Sequence, residues 1–165
     1  MHPHPRLASH LRSGQVSRII YGSIIGLALV LTMELHPPSS GTVVGALLAT
    51  AVAVALAELY SEAIAARARA SVGGHTESFG TMVGVALAVA WGIAFPSVFF
   101  IAAKLGLMEQ ETAFAVAKWT GLGLVAAYGY LAARLSGANV ASSLLQAAFA
   151  GVIAGVLILL KAFVH

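Results

Sequence analysis

Ionisable side chains are rare in the apolar stretches of this sequence, so each one that is present needs a physical reason. Soluble domains carry roughly 25% charged residues, whereas this chain has 9%, with 59% hydrophobic residues. A charged group at the centre of a membrane-spanning helix costs about 2.5–3.5 kcal/mol. The ionisable residues that fall within long apolar runs are Glu34, Glu58, Glu62 and Lys118.

Two of these carboxylates form a pair that could bind a cation. Glu58 and Glu62 are four residues apart and share one face of a predicted helix. Two carboxylates there repel each other unless a proton, a cation or a basic side chain lies between them. The segment that follows returns His75 and Glu77 to the same level. Oxygen and imidazole ligands suit a divalent metal, so one hypothesis is a metal site formed by Glu58, Glu62, His75 and Glu77.

The alternative is that the acidic pair has no ligand. Glutamates near a membrane surface are commonly solvated or loosely paired, and Arg67 and Arg69 follow closely in the sequence. The other two charges leave a similar choice open. Lys118 either extends outward to the membrane surface or pairs with Glu34 across the helix bundle. If Lys118 extends outward, Glu34 and His36 close a water-exposed helix end.

Several functional classes lack the residues they need. No phosphate-binding loop, nucleophile elbow or HExxH sequence is present, so we predict no enzyme activity. The chain has no Cys, which excludes disulfides and thiolate ligands. The basic residues form no patch with interleaved aromatics, so we predict no nucleic-acid binding. The only cofactor that the sequence suggests is a divalent metal ion.

The elements that position these residues are membrane-spanning helices. The mean hydropathy of +0.92 and the continuous apolar runs predict an all-α, polytopic membrane helix bundle, because about 20 apolar residues cross the hydrocarbon. Residues 1–16 are predicted to be a disordered cytoplasmic tail, and residues 17–165 a transmembrane domain of five helices. The predicted spans are 17–36, 42–62, 80–103, 112–133 and 141–161.

The arginines predict the orientation of these five spans. Cytoplasmic segments carry an excess of Lys and Arg. With the N-terminus inside and the C-terminus outside, the cytoplasmic segments hold all six arginines, and the outer segments hold only Lys104 and Lys161. The lipid bilayer of an inner (plasma) membrane is therefore the expected environment of this multi-pass chain. The arginines are Arg6, Arg12, Arg18, Arg67, Arg69 and Arg134.

Two sequence features predict how the helices pack. Pro96 removes a backbone hydrogen bond from the third span, so we expect a kink near Gly92. Glycines four residues apart clear a helix face for a neighbouring backbone, which favours a compact bundle and a dimer interface. The glycines with this spacing are Gly22, Gly26, Gly41, Gly45, Gly80, Gly84, Gly151 and Gly155.

Three stretches of the chain, at low identity over residues 18–165, resemble the vacuolar iron transporter family. RIIYGSIIGLALVL is similar to that family's first span, ALAELYSEAIAARARA to its second helix, and GYLAARLSGANVASSLLQAAFAGVIAGVLILLKAF to its final hairpin. The resemblance implies a five-span fold, a homodimer and proton-coupled export of divalent metal, with Glu58 as a metal ligand. Ile25 stands at the position of the family's metal-binding Asp, and Val54 at that of a Met. The family's cytoplasmic metal-binding domain is replaced by about ten residues.

Two functions therefore remain open. The first is a divergent divalent-cation or proton-coupled transporter, whose path includes Glu58 and Glu62. The second is a membrane scaffold or partner subunit that keeps the same fold without transporting anything. The missing first-span Asp favours the second function, and the acidic pair favours the first.

Overall fold

The computed structural model describes residues 5–71 and 78–135, together with Val152 and Val156. Over these residues the chain forms five α-helices and no strands, which confirms the prediction of an all-helical protein. The helices are α1 (Pro5–Met33), α2 (Ser40–Ser71), α3 (Phe79–Ala94), α4 (Ser97–Lys104) and α5 (Gln110–Leu135).

In the described part of the chain, two helices are long and apolar enough to cross a membrane, and a bent pair could form a third crossing. The two are α2 and the Val16–Met33 part of α1, and the bent pair is α3 with α4. Helix α5 contains the predicted span 112–133 but is not among these candidates, since Lys118 and several Gly and Tyr residues lower its mean hydropathy. The predicted span 141–161 lies outside the described residues, apart from Val152 and Val156.

Helix α1 begins earlier than the sequence predicts. It starts at Pro5, so it includes most of the segment 1–16 that was predicted to be disordered. Proline is well tolerated in the first turn of a helix, where its missing N–H has no intrahelical partner. Leu, Ala and Arg residues, which favour helix, follow it.

The third predicted span is interrupted where proline predicts a break. Helix α3 ends at Ala94, helix α4 begins at Ser97, and their axes differ by 46°. The N–H of Phe95 still donates to the carbonyl of Trp91, and the missing donor is that of Pro96 itself. The change of direction therefore lies at residues 95–96, about one turn after the predicted position near Gly92.

The closest helix packing is between α1 and α3. A Cβ atom added to Gly92 would lie 2.6 Å from the carbonyl oxygen of Ile19 and 2.6 Å from the backbone nitrogen of Ser23. One added to Gly26 would lie 3.0 Å from the carbonyl oxygen of Ile93. Gly22 is equally restricted by the backbone of α3. The two helices therefore cross in backbone contact, which only glycine permits at these positions.

The other glycine pairs have different surroundings. A Cβ on Gly45 would meet nothing within 4 Å, and those on Gly41 and Gly80 would meet only single side chains at ordinary contact distances. Gly84 is half-buried. The predicted contacts of Gly151 and Gly155 lie outside the described residues.

A second region of packing lies around α4. Helix α4 contacts both α2 and α5, while α1 packs against α3 and α5. Phe100 of α4 is fully buried and meets Phe114 of α5 edge to face, with ring centroids 4.7 Å apart. Val30, Val43 and Leu47 complete this core with two further residues of α5, Ala113 and Ala117. The short helix thus holds α2 and α5 together at the end of the bundle where α1 ends.

Candidate functional site

The two carboxylates of α2 face α1, where both contact one arginine. An Nη1–Oε1 ion pair joins Arg18 to Glu58, and Nη2 of Arg18 lies 3.3 Å from Oε1 of Glu62. From the next turns of α2, Nη2 of Arg69 lies 3.6 Å from Oε2 of Glu62. We call these four residues, Arg18, Glu58, Glu62 and Arg69, the Arg18 cluster.

The Arg18 cluster is electrically balanced, with two positive and two negative side chains. The side chains of Glu58 and Glu62 are only 14% and 20% exposed, whereas that of Arg18 is 36% exposed. Guanidinium groups stay protonated in proteins and present several donors in a fixed fork. Arg18 therefore supplies the positive charge that the acidic pair needs, and a cation could bind both carboxylates only by displacing it.

The predicted metal site divides between the described and undescribed parts of the chain. Glu58 and Glu62 lie together on α2, while His75 and Glu77 lie outside the described residues. Among residues 16–71 and 78–130, whose side chains the structure describes, no three His, Asp or Glu side chains are close enough to hold a metal ion together. The observed contacts agree with the alternative in which basic side chains compensate the acidic pair. Of the two arginines that follow in the sequence, Arg69 contacts Glu62 and Arg67 contacts neither carboxylate.

Sequence reasoning missed Arg18, the central residue of this cluster. Its position among the other arginines predicts only the orientation of the chain. A usable signal was present, however, because α1 and α2 form a hairpin around Pro37. Arg18 lies 19 residues before Pro37 and Glu58 lies 21 residues after it. In an antiparallel helical hairpin, positions at similar distances from the turn lie at the same level.

A second group of polar contacts joins the opposite ends of these helices to α5. Nζ of Lys118 donates to Oε1 of Glu34 at 2.8 Å, and each side chain is 25% exposed. Close by, Nε2 of Gln110 donates to the carbonyl of Pro38 at 2.6 Å, and the hydroxyl of Ser40 donates to Oε1 of Gln110. Lys118 thus contacts Glu34 across the bundle, and the α1–α2 turn is fastened to the start of α5.

An ion pair therefore lies at each end of the apolar part of α1, with Glu34 directly after its last residue. Arg18 and Glu34 are 16 residues apart in the sequence, which corresponds to about 24 Å along a helix. The hydrocarbon core of a bilayer is about 30 Å thick. The distance between the two charged levels is therefore close to the thickness of that core.

The interior between these two levels is apolar at the positions that the family resemblance singles out. Ile25 of α1 and Val54 of α2 both pack against one cluster of buried residues formed by Ala51, Val89 and Ile93. The two positions are therefore close in space, as they would be if they belonged to one path. Neither side chain can coordinate a metal ion or carry a proton.

Comparison of the chain with protein-family models, with curated proteins and with solved structures gives no significant match. The chemistry of the site therefore rests on the geometry of the Arg18 cluster and of the Glu34–Lys118 pair.

Proposed function

We propose that this chain is a multi-pass membrane protein of the plasma membrane, with five spans, the N-terminus inside and the C-terminus outside. The apolar lengths of α1 and α2 support this proposal, as does the bent α3–α4 pair. The arginine distribution supports the orientation, because the Arg18 level and Arg67 then face the cytoplasm. The resemblance to the vacuolar iron transporter family belongs to the same proposal.

Cysteine labelling should report the five-span topology, because the chain contains no cysteine of its own. Single cysteines at Ser39 and at the exposed Leu107 should react with an impermeant maleimide from outside intact cells. Those at Ser71 and at Ser136, which lies beyond the described helices, should react only after the cytoplasmic side is opened. Labelling of Ser39 and Ser71 from the same side would exclude this topology.

Within that membrane setting, the function we propose is that of a non-transporting scaffold or partner subunit. The observation that carries it is the balanced Arg18 cluster, in which an arginine already occupies both carboxylates. The apolar surroundings of Ile25 and Val54 support the same conclusion. A path for a metal ion or proton would need polar groups between the two charged levels, and these two positions offer none.

A divergent cation transporter is the second candidate. Its support is the proximity of Glu58 and Glu62, whose side chains lie together at the edge of the apolar region. In that case Arg18 would act as a tethered cation that leaves the carboxylates when a divalent metal ion enters. The two candidates differ in whether a metal ion binds to the folded chain through these carboxylates, and this difference can be measured.

Metal binding can be measured as a shift in melting temperature. For a scaffold, millimolar Mn²⁺, Fe²⁺, Co²⁺ or Zn²⁺ should leave the melting temperature of the purified chain unchanged, because Arg18 excludes cations from the pair. Proteoliposomes should show no metal flux above that of empty liposomes. A transporter requires the opposite result, namely flux and stabilisation that the Glu58→Gln, Glu62→Gln double variant loses.

We further propose that the chain forms a homodimer. Gly22 and Gly26, two of the glycines expected at the interface, are used within the chain against α3. The support for the dimer is therefore the resemblance to the vacuolar iron transporter family, together with the four-residue spacing of Gly151 and Gly155, which lie outside the described residues.

A further inference from the structure

An apolar groove of about 750 Å³ lies on the surface between α2 and α3. Its floor is made of alanines from both helices, and its walls are larger side chains. Trp91 of α3 is 57% exposed there, although it lies 12 residues into a helix that begins at Phe79. The large lining residues are Leu48, Val52, Leu56, Leu87 and Trp91.

The groove continues toward the Arg18 end of the bundle along a stripe of exposed side chains. Tyr60 and Ile64 follow Leu56 on α2 at four-residue spacing, and the exposed Phe79 begins the neighbouring helix. Aromatic residues are enriched where a membrane meets water. The stripe therefore runs from the interior of the membrane to its surface.

Arg67 lies at the end of this stripe. Its side chain is exposed, and no carboxylate pairs with it among the described residues. It is 11 residues beyond Leu56, or about 16 Å along the helix, and one leaflet of hydrocarbon is about 15 Å thick. A molecule with an anionic group at Arg67 and an extended apolar tail would thus reach the groove.

We propose that the groove and Arg67 form a binding site for one anionic phospholipid. Its phosphate contacts the guanidinium of Arg67, its glycerol region lies beside Tyr60, and an acyl chain occupies the groove between Leu56 and Trp91. The inference rests on the proposed membrane location of the chain. The proposed site prefers anionic over zwitterionic lipid, and an ordinary lipid-facing surface lacks this preference.

Charge distinguishes this occupant from a second copy of the chain. Two copies in the same membrane have the same orientation, so a two-fold contact through this stripe would bring the two Arg67 side chains together. Like charges at such a contact oppose association. A phospholipid with a net negative headgroup instead complements the arginine and fills an apolar groove without any requirement for symmetry.

The two tryptophans of the chain allow a direct test. The Trp119→Phe variant keeps only Trp91, in the groove, and the Trp91→Phe variant keeps only Trp119, an exposed residue of α5. Each variant is reconstituted into phosphatidylcholine vesicles in which a fixed mole fraction of the lipid has brominated acyl chains. The brominated lipid is phosphatidylglycerol in one set of vesicles and phosphatidylcholine in the other. Bromine quenches tryptophan fluorescence on contact, so quenching reports which lipid occupies the groove.

We expect brominated phosphatidylglycerol to quench Trp91 with an apparent affinity roughly fivefold higher than that of brominated phosphatidylcholine. This is the factor that one cation near an anionic surface supplies. Arg67→Gln in the same background should remove this preference, and Arg67→Lys should retain it. Trp119 should be quenched equally by both lipids. Equal quenching of Trp91 by both lipids would overturn the proposed site.

The control separates this inference from the proposed function. If Trp119 is quenched by neither brominated lipid, the proposed membrane location itself fails. If Trp119 is quenched while Trp91 is protected from both lipids, another occupant such as a second copy covers the groove, and the lipid proposal is wrong. Retention of the preference in Arg67→Gln would also exclude Arg67 as the phosphate ligand.

Discussion

Replacement of Gly92 by alanine should destabilise this protein by about 3 kcal/mol, at the upper end of the range for overpacked sites. The added methyl group would lie 2.6 Å from two backbone atoms of α1, those of Ile19 and Ser23. Backbone atoms of a packed helix cannot rotate away as a side chain can, so α1 and α3 must move apart. That movement would also loosen the contacts of Val89 and Ile93, both fully buried.

The matched control is Gly45→Ala, because a methyl group at Gly45 meets nothing within 4 Å. Alanine favours helix over glycine by up to about 1 kcal/mol, so this variant should be neutral or slightly stabilised. Both variants can be compared by denaturant unfolding in the same detergent, with helix content followed by circular dichroism. Equal stability of the Gly92→Ala and Gly45→Ala variants would mean that α1 and α3 do not cross in backbone contact.

Gly92 and Gly45 show what the four-residue spacing of glycines could and could not predict. Glycines four apart predict a helix face open to close packing, and Gly22 and Gly26 of α1 lie against the backbone of α3. The pattern does not identify the partner helix, and Gly92, which completes the crossing, belongs to no pair at that spacing. Which helix packs against α1 depends on how the helices are arranged in space. The periodicity of residues within one helix carries no information about that arrangement.

The helices themselves followed more directly from the sequence. Long apolar runs predicted α1 and α2, and Pro96 predicted an interruption in the third run because proline lacks an N–H donor. The boundaries were less accurate, since helix-forming residues extend α1 back to Pro5 and the bend lies after Gly92. Whether α5 crosses a membrane remains a prediction, because Lys118 makes it less apolar than the other runs.

The charged residues illustrate a different limit. Their cost in an apolar setting indicated that Glu58, Glu62, Glu34 and Lys118 needed explanations, and contact between the last two was one of the alternatives. The identity of the group that compensates the acidic pair depends on the register between α1 and α2. The pattern within one helix does not contain this register, so the arginine distribution predicts orientation without predicting that Arg18 contacts the acidic pair.

Replacement of Arg18 by glutamine should destabilise the folded chain by about 2 kcal/mol. Removal of one partner from a buried ion pair costs about 3–5 kcal/mol, and the partial exposure of Arg18 reduces this value through solvent screening. The variant leaves Glu58 and Glu62 side by side, and Arg69, 3.6 Å from Glu62, is then the one basic side chain paired with them among the described residues. Arg18→Lys should be less damaging, although a single ammonium group cannot present the guanidinium fork to both carboxylates.

The decisive comparison is a mutant cycle that neutralises the acids. If the loss comes from two uncompensated carboxylates, addition of Glu58→Gln and Glu62→Gln to Arg18→Gln should restore most of the stability. Free energies of unfolding in one detergent would give the coupling as the departure from additivity. Independent, additive losses would show that Arg18 stabilises the fold without compensating these carboxylates. Strong coupling would instead support the scaffold proposal, because the charge of the acidic pair is then balanced by the protein itself.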